Sequence, residues 1–410
     1  MSGFSEKMEI LPLDVSFDLC VRNKSPKASC EACVHVCPQK AVSLAGGLEV
    51  TDRCDGCGIC AQVCPNEVFQ SMIFNRNALL THCSSEHNKK VIVCSALGNG
   101  VKREGFRFFE VPCIGSLDEV LILRAALRYG KVSVLIGNCE GCELRTGWQV
   151  FSVVEEKVKG YLSLFGLDEG MFVIKRLDHN SLTNFIETEF PVEENLPALK
   201  QSRRDFFRMA GEKALYAGTS LLSLYLDTKG GDDEEAMAPK ILPRRRELIL
   251  LMQENIPLSG HKVLKGIFDR ISISSTCNGC GECVNLCPTG ALDLKVFGNE
   301  RRIYLNTLSC TACMLCSDIC SQGSIRLSKK VEVRELSGQE PELLITLCYN
   351  TCLCCFGLFY GSEDSLYCQD CEKKIYASPA KLHLNPSEER GKIGYFEEKA
   401  AYKSLPTDPW

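Results

Sequence analysis

The sequence predicts an α+β protein of several domains. Two cysteine-rich modules flank a small α/β domain, and a further cysteine-rich segment follows near the C-terminus. Three observations predict this. The 410 residues are enough for about two to four compact domains. Many of the 27 cysteines stand three residues apart. Between the outer cysteine groups, short β-branched runs alternate with helical patterns, which is typical of a parallel sheet.

Composition and charge argue against several classes of protein. A formal net charge of −5 is unlike a general nucleic-acid binder, which would carry a basic face. Charged residues interrupt the start of the chain, MSGFSEKMEI, so we expect no signal peptide. We also expect no transmembrane segment, and any membrane association would be peripheral, through a partner. Disulfide-rich chains are normally short and secreted, so these cysteines favour metal centres in a reducing, anaerobic cytoplasm.

Four segments of the chain align with one another as two tandem pairs. Their cysteines are Cys30, Cys33 and Cys37; Cys54, Cys57, Cys60 and Cys64; Cys277, Cys280, Cys283 and Cys287; and Cys310, Cys313, Cys316 and Cys320. In three segments a proline follows the last cysteine, and a short apolar stretch follows every segment. We therefore expect one module in residues 1–80 and a second in residues 263–332.

This spacing suits cubic iron–sulfur clusters. Three thiolates at positions i, i+3 and i+6 can bind three irons of a 4Fe–4S cube, and the fourth ligand is remote. The sequence resembles the bacterial 2×4Fe–4S ferredoxin family twice, in the manner of a polyferredoxin. The resemblance implies four ligand sets: set 1, Cys20, Cys30, Cys33 and Cys64; set 2, Cys37, Cys54, Cys57 and Cys60; set 3, Cys277, Cys280, Cys283 and Cys320; set 4, Cys287, Cys310, Cys313 and Cys316. Structural zinc is the alternative for such C-x-x-C pairs.

Set 1 departs from the family pattern. That pattern has a cysteine where this sequence has Lys27, and the nearest candidate is Cys20, displaced by an insertion that contains Pro26. Lengthening a ligand loop by a few residues costs little, because closure entropy depends only logarithmically on length. We expect Cys20 to be the fourth ligand. A three-iron cluster or a non-cysteine ligand is the alternative.

Residues 88–190 have the pattern of a small α/β domain. Runs at 90–94, 131–136 and 171–174 predict buried strands, and helical periodicity covers Leu117 to Tyr129 and Val150 to Phe165. The carboxyl ends of parallel strands meet at one edge of a sheet, where α/β folds place ligands. Several cysteines of this domain follow the predicted strands, so we expect them at that edge.

The middle domain resembles the delta subunit family of methyl-viologen-reducing hydrogenase. The matching residues are Cys113 with Gly115, the helix 117–127 and the run from Val134 to Cys139. The resemblance implies a 2Fe–2S cluster on the middle set, which comprises Cys94, Cys113, Cys139 and Cys142. The upstream C-x-x-C of that family is missing, and Cys83 and Cys94 are its nearest substitutes. Buried free thiols and zinc therefore stay open as alternatives.

Residues 191–262 have the pattern of a linker with an amphipathic helix. The twin-arginine-like motif at 202–207 is internal, so we do not expect it to direct export. In residues 340–380, Cys352, Cys355, Cys368 and Cys371 form the tail set, which resembles a zinc ribbon that turns at Tyr360-Gly361. Another iron–sulfur site that uses Cys348 or Cys354 is the rival interpretation. Residues 381–410 are typical of a docking or mobile tail.

The sequence thus predicts an iron–sulfur electron-transfer subunit with four 4Fe–4S clusters, one possible 2Fe–2S cluster and one possible zinc ion. No catalytic residue can be argued from spacing, and no phosphate-binding glycine loop occurs. The expected partner is a catalytic oxidoreductase such as a hydrogenase, formate dehydrogenase, aldehyde oxidoreductase or heterodisulfide-reductase-like enzyme. Two alternatives remain: a redox enzyme with a substrate-accessible centre in the middle domain, and a cluster-dependent sensing or binding module.

Overall fold

A computed structural model describes residues 12–85, 90–98, 108–178, 239–256, 263–332 and 340–377, with five more residues between 181 and 188. Within these ranges the chain is a mixed α/β protein whose strands form five sheets. None of the helices described there is long and apolar enough to cross a membrane. The motif at 202–207, its amphipathic stretch and residues 381–410 lie outside the described ranges.

The N-terminal module consists of short helices and two small antiparallel sheets. Its elements are β1 (Leu13–Val15), α1 (Val21–Lys24), α2 (Ala32–Val36), β2 (Val42–Ser43), β3 (Glu49–Val50), α3 (Ile59–Val63) and β4 (Phe69–Ser71). Strand β1 pairs with β4, and β2 pairs with β3. The strands β2 and β4 follow the first two cysteine segments, as the apolar stretches predict. The core of this module is built partly from cysteine, since Cys33 and Cys60 are buried beside Leu44 and Phe69.

The middle domain is a four-stranded parallel sheet with helices packed against it. Its elements are α4 (Arg76–Ser84), β5 (Val91–Cys94), α5 (Ser95–Gly98), β6 (Phe109–Val111), α6 (Glu119–Tyr129), β7 (Val132–Ile136), α7 (Thr146–Leu164) and β8 (Phe172–Arg176). The strand order is β6-β5-β7-β8, and every pairing is parallel. The predicted strands are β5, β7 and β8, and the predicted helices are α6 and α7. The buried side chains of β5 and β7 fill the centre of the largest hydrophobic core described.

A helix that was not predicted from the sequence, in the stretch assigned to the linker, packs on the middle domain. Helix α8 (Pro243–Asn255) begins with a proline in its first turn, where the missing N–H costs no hydrogen bond. Leu248, Ile249 and Met252 are buried in the core of the middle domain. This part of the stretch 191–262 is therefore an integral element of the fold.

The C-terminal module and the tail segment share one sheet. Their elements are β9 (Val263–Ile273), α9 (Glu282–Asn285), β10 (Leu292–Phe297), β11 (Glu300–Leu305), α10 (Leu315–Ile319), β12 (Ile325–Glu332), β13 (Glu342–Thr351), β14 (Leu358–Gly361) and α11 (Gln369–Ala377). Strand β9 pairs with β12, and the larger sheet has the order β10-β11-β13-β14. The expected turn at Tyr360-Gly361 is wrong, because both residues lie in β14 and pair with Tyr349 and Cys348 of β13.

The two cysteine-rich modules touch each other. Val21 and Ala28 of the N-terminal module form one buried cluster with Leu315 and Ile319 of the C-terminal module. At its edge, the backbone N–H of Ser29 donates to the Asp318 carboxylate at 2.7 Å. The two modules are far apart in sequence, yet they present adjoining cysteine sites.

Candidate metal centres

The structure brings the four cysteines of set 1 together, including Cys20. Burial, together with the nearby thiolates of Cys64, Cys30 and Cys20, raises the pKa of Cys33 to about 12. Cys20 is buried at the start of α1, whereas Lys27, at the family's expected ligand position, is exposed. Cys20, on the helical turn before α1, thus brings a fourth sulfur close to Cys33.

Set 2 is also gathered around one point. Burial raises the pKa of Cys60, and the thiolates of Cys57, Cys54, Cys33 and Cys37 raise it further. Four sulfurs this close cannot all ionise without compensating positive charge, because each thiolate opposes the next. The irons of a cluster would supply that charge, so the donor set fits a thiolate-bound cluster.

Sets 3 and 4 each line a cavity. One cavity, of about 390 Å³ including its open mouth, is lined by Cys277, Cys280, Cys283 and Cys320. The other, of about 350 Å³, is lined by Cys287, Cys310, Cys313 and Cys316. Cys280 is exposed, while Cys310 is buried. Of these eight cysteines, the one that is exposed therefore belongs to set 3.

The ligand loops curl because alternate residues adopt left-handed backbone. In the second and third repeats these are Gly56 with Gly58 and Gly279 with Gly281, all with φ between 69° and 78°. Glycine takes this conformation without the steric cost that other residues bear. The fourth repeat uses Ala312 and Met314 at the same positions, with φ of 58° and 66°. The repeated curl directs three successive sulfurs inward.

The middle set lies at the carboxyl edge of the parallel sheet. Cys94 ends β5, Cys113 follows β6, and Cys139 follows β7. Burial raises the pKa of Cys113 to about 12, and the thiolates of Cys142, Cys139 and Cys94 also raise it. Cys83 lies on α4 in the hydrophobic core, where burial raises its pKa to about 11.

Two glycines allow helix α7 to approach Cys113 closely. A Cβ atom on Gly147 would collide with the Cys113 sulfur, and one on Gly115 would lie 2.6 Å from the Gly147 Cα. The sequence analysis noted Gly115 only as part of a resemblance, and it did not identify Gly147. A helix glycine carries no local signal of such contact, because the constraint comes from the loop before α6.

The tail set forms a compact group of four sulfurs. The Sγ atoms of Cys352, Cys355, Cys368 and Cys371 all lie within 4.8 Å of one another. Burial opposes ionisation of Cys352, but backbone N–H groups of Cys355, Cys368 and Cys354 lower its pKa to about 6. Four converging thiols of this kind fit tetrahedral zinc.

The rival thiols near the tail set occupy different positions. Cys348 lies on β13 opposite Gly361, and Cys354 is exposed but within hydrogen-bonding reach of Cys371. The tail segment also covers the ligand loop of set 3. Arg301 donates to the carbonyl oxygen of Gly279 at 2.6 Å and stacks 4.1 Å from the ring centre of Tyr360 in β14.

Arginines at the start of α8 were missed as functional residues. Arg244 donates to the carbonyl oxygen of Cys64 at 3.1 Å and to the Gln62 side-chain oxygen at 3.0 Å. Arg245 donates to the carbonyl oxygens of Thr307 and Leu308 in the C-terminal module. The sequence shows only a basic run after a proline, although the apolar spacing from Leu248 to Met252 does indicate a helix with one buried side.

Comparison with known families supports the cysteine assignments at the level of domains. A family model for the 4Fe-4S dicluster domain matches residues 276–325. A model for the LdpA Fe-S cluster-binding domain matches residues 25–74. The chain carries two iron–sulfur cluster-binding domains. They coincide with the two ferredoxin-like modules, and the second match begins after Cys20. No curated protein matches the chain.

Proposed function

We propose that the protein is an iron–sulfur electron-transfer subunit that passes single electrons to or from a catalytic oxidoreductase. Sets 1 to 4 would each hold a 4Fe–4S cluster, the middle set a 2Fe–2S cluster and the tail set a structural zinc ion. The clusters would supply one-electron redox chemistry when bound. The side chains and backbone of this chain would hold the clusters and influence their redox potentials.

One observation carries the proposal: cysteine sets lie next to one another in space. Cys113 of the middle set lies near Cys57 of set 2: the pKa of Cys57 is raised to about 12, mainly by burial and in smaller part by the Cys113 thiolate. The thiolate of Cys33 in set 1 likewise contributes to the raised pKa of Cys60 in set 2. The thiolate of Cys283 in set 3 contributes to the raised pKa of Cys316 in set 4. Adjoining sites of this kind suit stepwise electron transfer better than separate structural staples would.

Backbone N–H groups around the sulfurs would help set the redox potentials. Ala41 donates to Cys37 at 3.3 Å, Ser324 to Cys320 at 3.3 Å, and Gly115 to Cys113 at 3.4 Å. Hydrogen bonds to cluster sulfurs stabilise the more negative, reduced state and so raise the potential. Burial of the ligands acts in the opposite direction, because it disfavours added negative charge.

We further propose that the catalytic partner docks near the middle set. Cys139 and Cys142 are only partly buried at the carboxyl edge of the sheet. Burial raises the pKa of Cys139, whereas the positive charge of Arg176 lowers it, so a cation stands beside this ligand. The resemblance of this domain to a hydrogenase delta subunit supports a hydrogenase-like or heterodisulfide-reductase-like partner. Formate dehydrogenase and aldehyde oxidoreductase are further candidates of the same class.

Metal analysis with spectroscopy tests the proposal. The full chain, purified without oxygen, should contain about 16 to 18 iron atoms and one zinc ion. Acid-labile sulfide should match the iron, and dithionite should generate electron paramagnetic resonance (EPR) signals of reduced 4Fe–4S clusters. An iron content of about eight atoms per chain would contradict the four-cluster assignment. Zinc without sulfide would replace the electron-transfer proposal with a structural role.

A further inference from the structure

Asn66 connects cysteine sets of the two modules. It follows Cys64 by two residues and is 2% exposed. Burial raises the pKa of Cys64 in set 1 and of Cys313 in set 4, and Asn66 lowers both, through its backbone N–H at Cys64 and through its side chain at Cys313. A single buried residue therefore contacts ligands of two sites that are remote in sequence.

The side chain of Asn66 is held in place on both sides. Its amide nitrogen donates to the carbonyl oxygen of Leu19 at 2.9 Å, beside Cys20 of set 1. Its amide oxygen accepts from the hydroxyl of Thr311 at 2.5 Å, within the ligand loop of set 4. The amide is thus fixed between the ligand loops of both modules.

Apolar packing surrounds this contact. Cys30 and Cys313 both pack against the buried cluster that joins the modules, which contains Val21 and Leu315. A hydrogen bond in such an environment is electrostatically stronger than one in water, because little solvent screens it. The two sites therefore face each other through protein atoms.

We propose that Asn66 is a positioning residue that couples sets 1 and 4, so that the two ferredoxin-like modules act as one continuous relay. The order of sites is then set 3, set 4, set 1, set 2 and the middle set. This inference rests on the proposed function. An electron that crosses at Asn66 is lost by the cluster at one set and gained by the cluster at the other, so no further reactant is required.

The equivalent positions of the other repeats serve different purposes. Each is the second residue after the last cysteine of its segment: Gln39, Thr289 and Gln322. Gln39 donates to Asp55 of its own module at 2.9 Å. Thr289 is buried beside Cys287, and its carbonyl oxygen accepts from the N–H of Lys240. Among these four positions, Asn66 is the one whose side chain contacts a cysteine of the other module.

The substitution Asn66→Leu tests the coupling in the full, cluster-loaded chain. It removes the side-chain hydrogen bonds to Leu19 and Thr311, takes a polar amide away from Cys313, and leaves every cysteine in place. We expect unchanged iron content, a more negative potential for the cluster at set 4, and slower electron equilibration between the modules after photochemical one-electron reduction. The matched control is Gln39→Leu, which changes the same repeat position within one module and should leave these quantities as in the wild type.

The outcomes separate this inference from the proposed function. Full iron content in Asn66→Leu with wild-type potentials and wild-type equilibration would overturn the role of Asn66 alone. If Asn66→Leu loses iron, Thr311→Val replaces it, because that variant removes the hydrogen bond to the Asn66 amide oxygen and keeps Asn66 itself. Wild-type coupling in an iron-replete Thr311→Val protein would then overturn the inference. A wild-type chain with about eight iron atoms would instead contradict the proposed function.

Discussion

In the C-terminal module every proposed ligand falls within two repeats of one spacing. In the N-terminal module one proposed ligand, Cys20, lies instead on a helical turn upstream of the first repeat. The complete repeats curl through left-handed residues, such as Gly279 and Gly281, and deliver three sulfurs from one loop. The incomplete repeat has Lys27 at the surface. We therefore propose that a sulfur on a neighbouring turn takes the place of the cysteine that the first repeat lacks.

The modules also differ in what covers them. In the N-terminal module β2 and β3 pair over two residues each, and the middle domain and α8 pack around it. Thr146 at the start of α7 donates to the carbonyl oxygen of Val36 at 2.8 Å. In the C-terminal module β10 and β11 pair over six residues, and β13 extends their sheet. Small modules rarely bury enough apolar surface alone, so each depends on a different neighbour.

Removing the tail set should have the largest effect, confined to the C-terminal module. Cys371→Ser deletes one ligand of the proposed zinc site, and structural zinc contributes about 10 to 16 kcal/mol of apparent binding free energy in small zinc domains. We expect zinc content to fall from about one ion per chain to almost none. Amide hydrogen exchange should accelerate in β14, β13 and β11, because these strands are paired, while the N-terminal module keeps its protection.

The control for this experiment is Cys348→Ser. Cys348 lies on β13, outside the four clustered sulfurs. The zinc content of the Cys348→Ser protein should therefore match that of the wild type. Retention of zinc by Cys371→Ser would show that the tail set does not bind the ion. Amide hydrogen exchange that accelerates equally in both modules would show that the tail segment does not stabilise the C-terminal module specifically.

Replacing Cys20 should have the next largest effect, now confined to the N-terminal module. Cys20→Ala leaves Cys30, Cys33 and Cys64 as the thiolates of set 1. We expect a loss of about one to four iron atoms per chain, because the set retains three sulfurs. A three-iron signal in the EPR spectrum of the oxidised protein would correspond to the smallest loss.

Cys83→Ala provides a matched control for Cys20→Ala. Cys83 is also buried, but it lies in the hydrophobic core of the middle domain rather than in a proposed ligand set. The Cys83→Ala protein should keep all its iron, and the substitution should disturb only the packing of that hydrophobic core. Full iron content in Cys20→Ala would mean that another residue completes set 1, and the recruitment argument would be wrong.

Cysteine spacing predicts much of this molecule because the ligands of one loop are close in sequence. The two modules, the strands β5, β7 and β8, and the grouping of Cys352 with Cys371 all follow from local patterns. Parallel pairing follows as well, because strands alternate with helices. These features need no knowledge of which parts of the chain meet.

The remaining features depend on contacts between distant residues. Arg244 bonds the carbonyl oxygen of Cys64 across 180 positions, and Thr311 bonds Asn66 across 245 positions. Neither residue type is unusual at its place in the sequence. The pairing of β13 with β11 is similarly hidden, because the tail strand has no marker for the edge it joins. Contacts between distant residues thus decide which cysteine sets are neighbours, whereas local spacing indicates which cysteines belong to each set.

The smallest expected effect concerns Gly147, where the middle domain meets the N-terminal module. In Gly147→Ala the added methyl group would collide with the Cys113 sulfur and approach the Ile59 side chain to 3.3 Å. Either helix α7 or Cys113 must shift, so we expect partial loss of metal from the middle set, up to about two iron atoms per chain. Sets 3 and 4 should be unaffected, and their EPR signals provide an internal reference.

Gly160→Ala is the control on the same helix. Nothing lies within 4 Å of the position that its Cβ would take, so the substitution should only favour the helix, by about 0.5 to 1 kcal/mol. Full metal content in Gly147→Ala, with an unchanged spectrum, would show that the close approach of α7 to Cys113 is unimportant for the middle set. Loss of metal from both variants would point to general disturbance of α7. Loss from Gly147→Ala alone would tie metal binding in the middle domain to the helix that also contacts the N-terminal module.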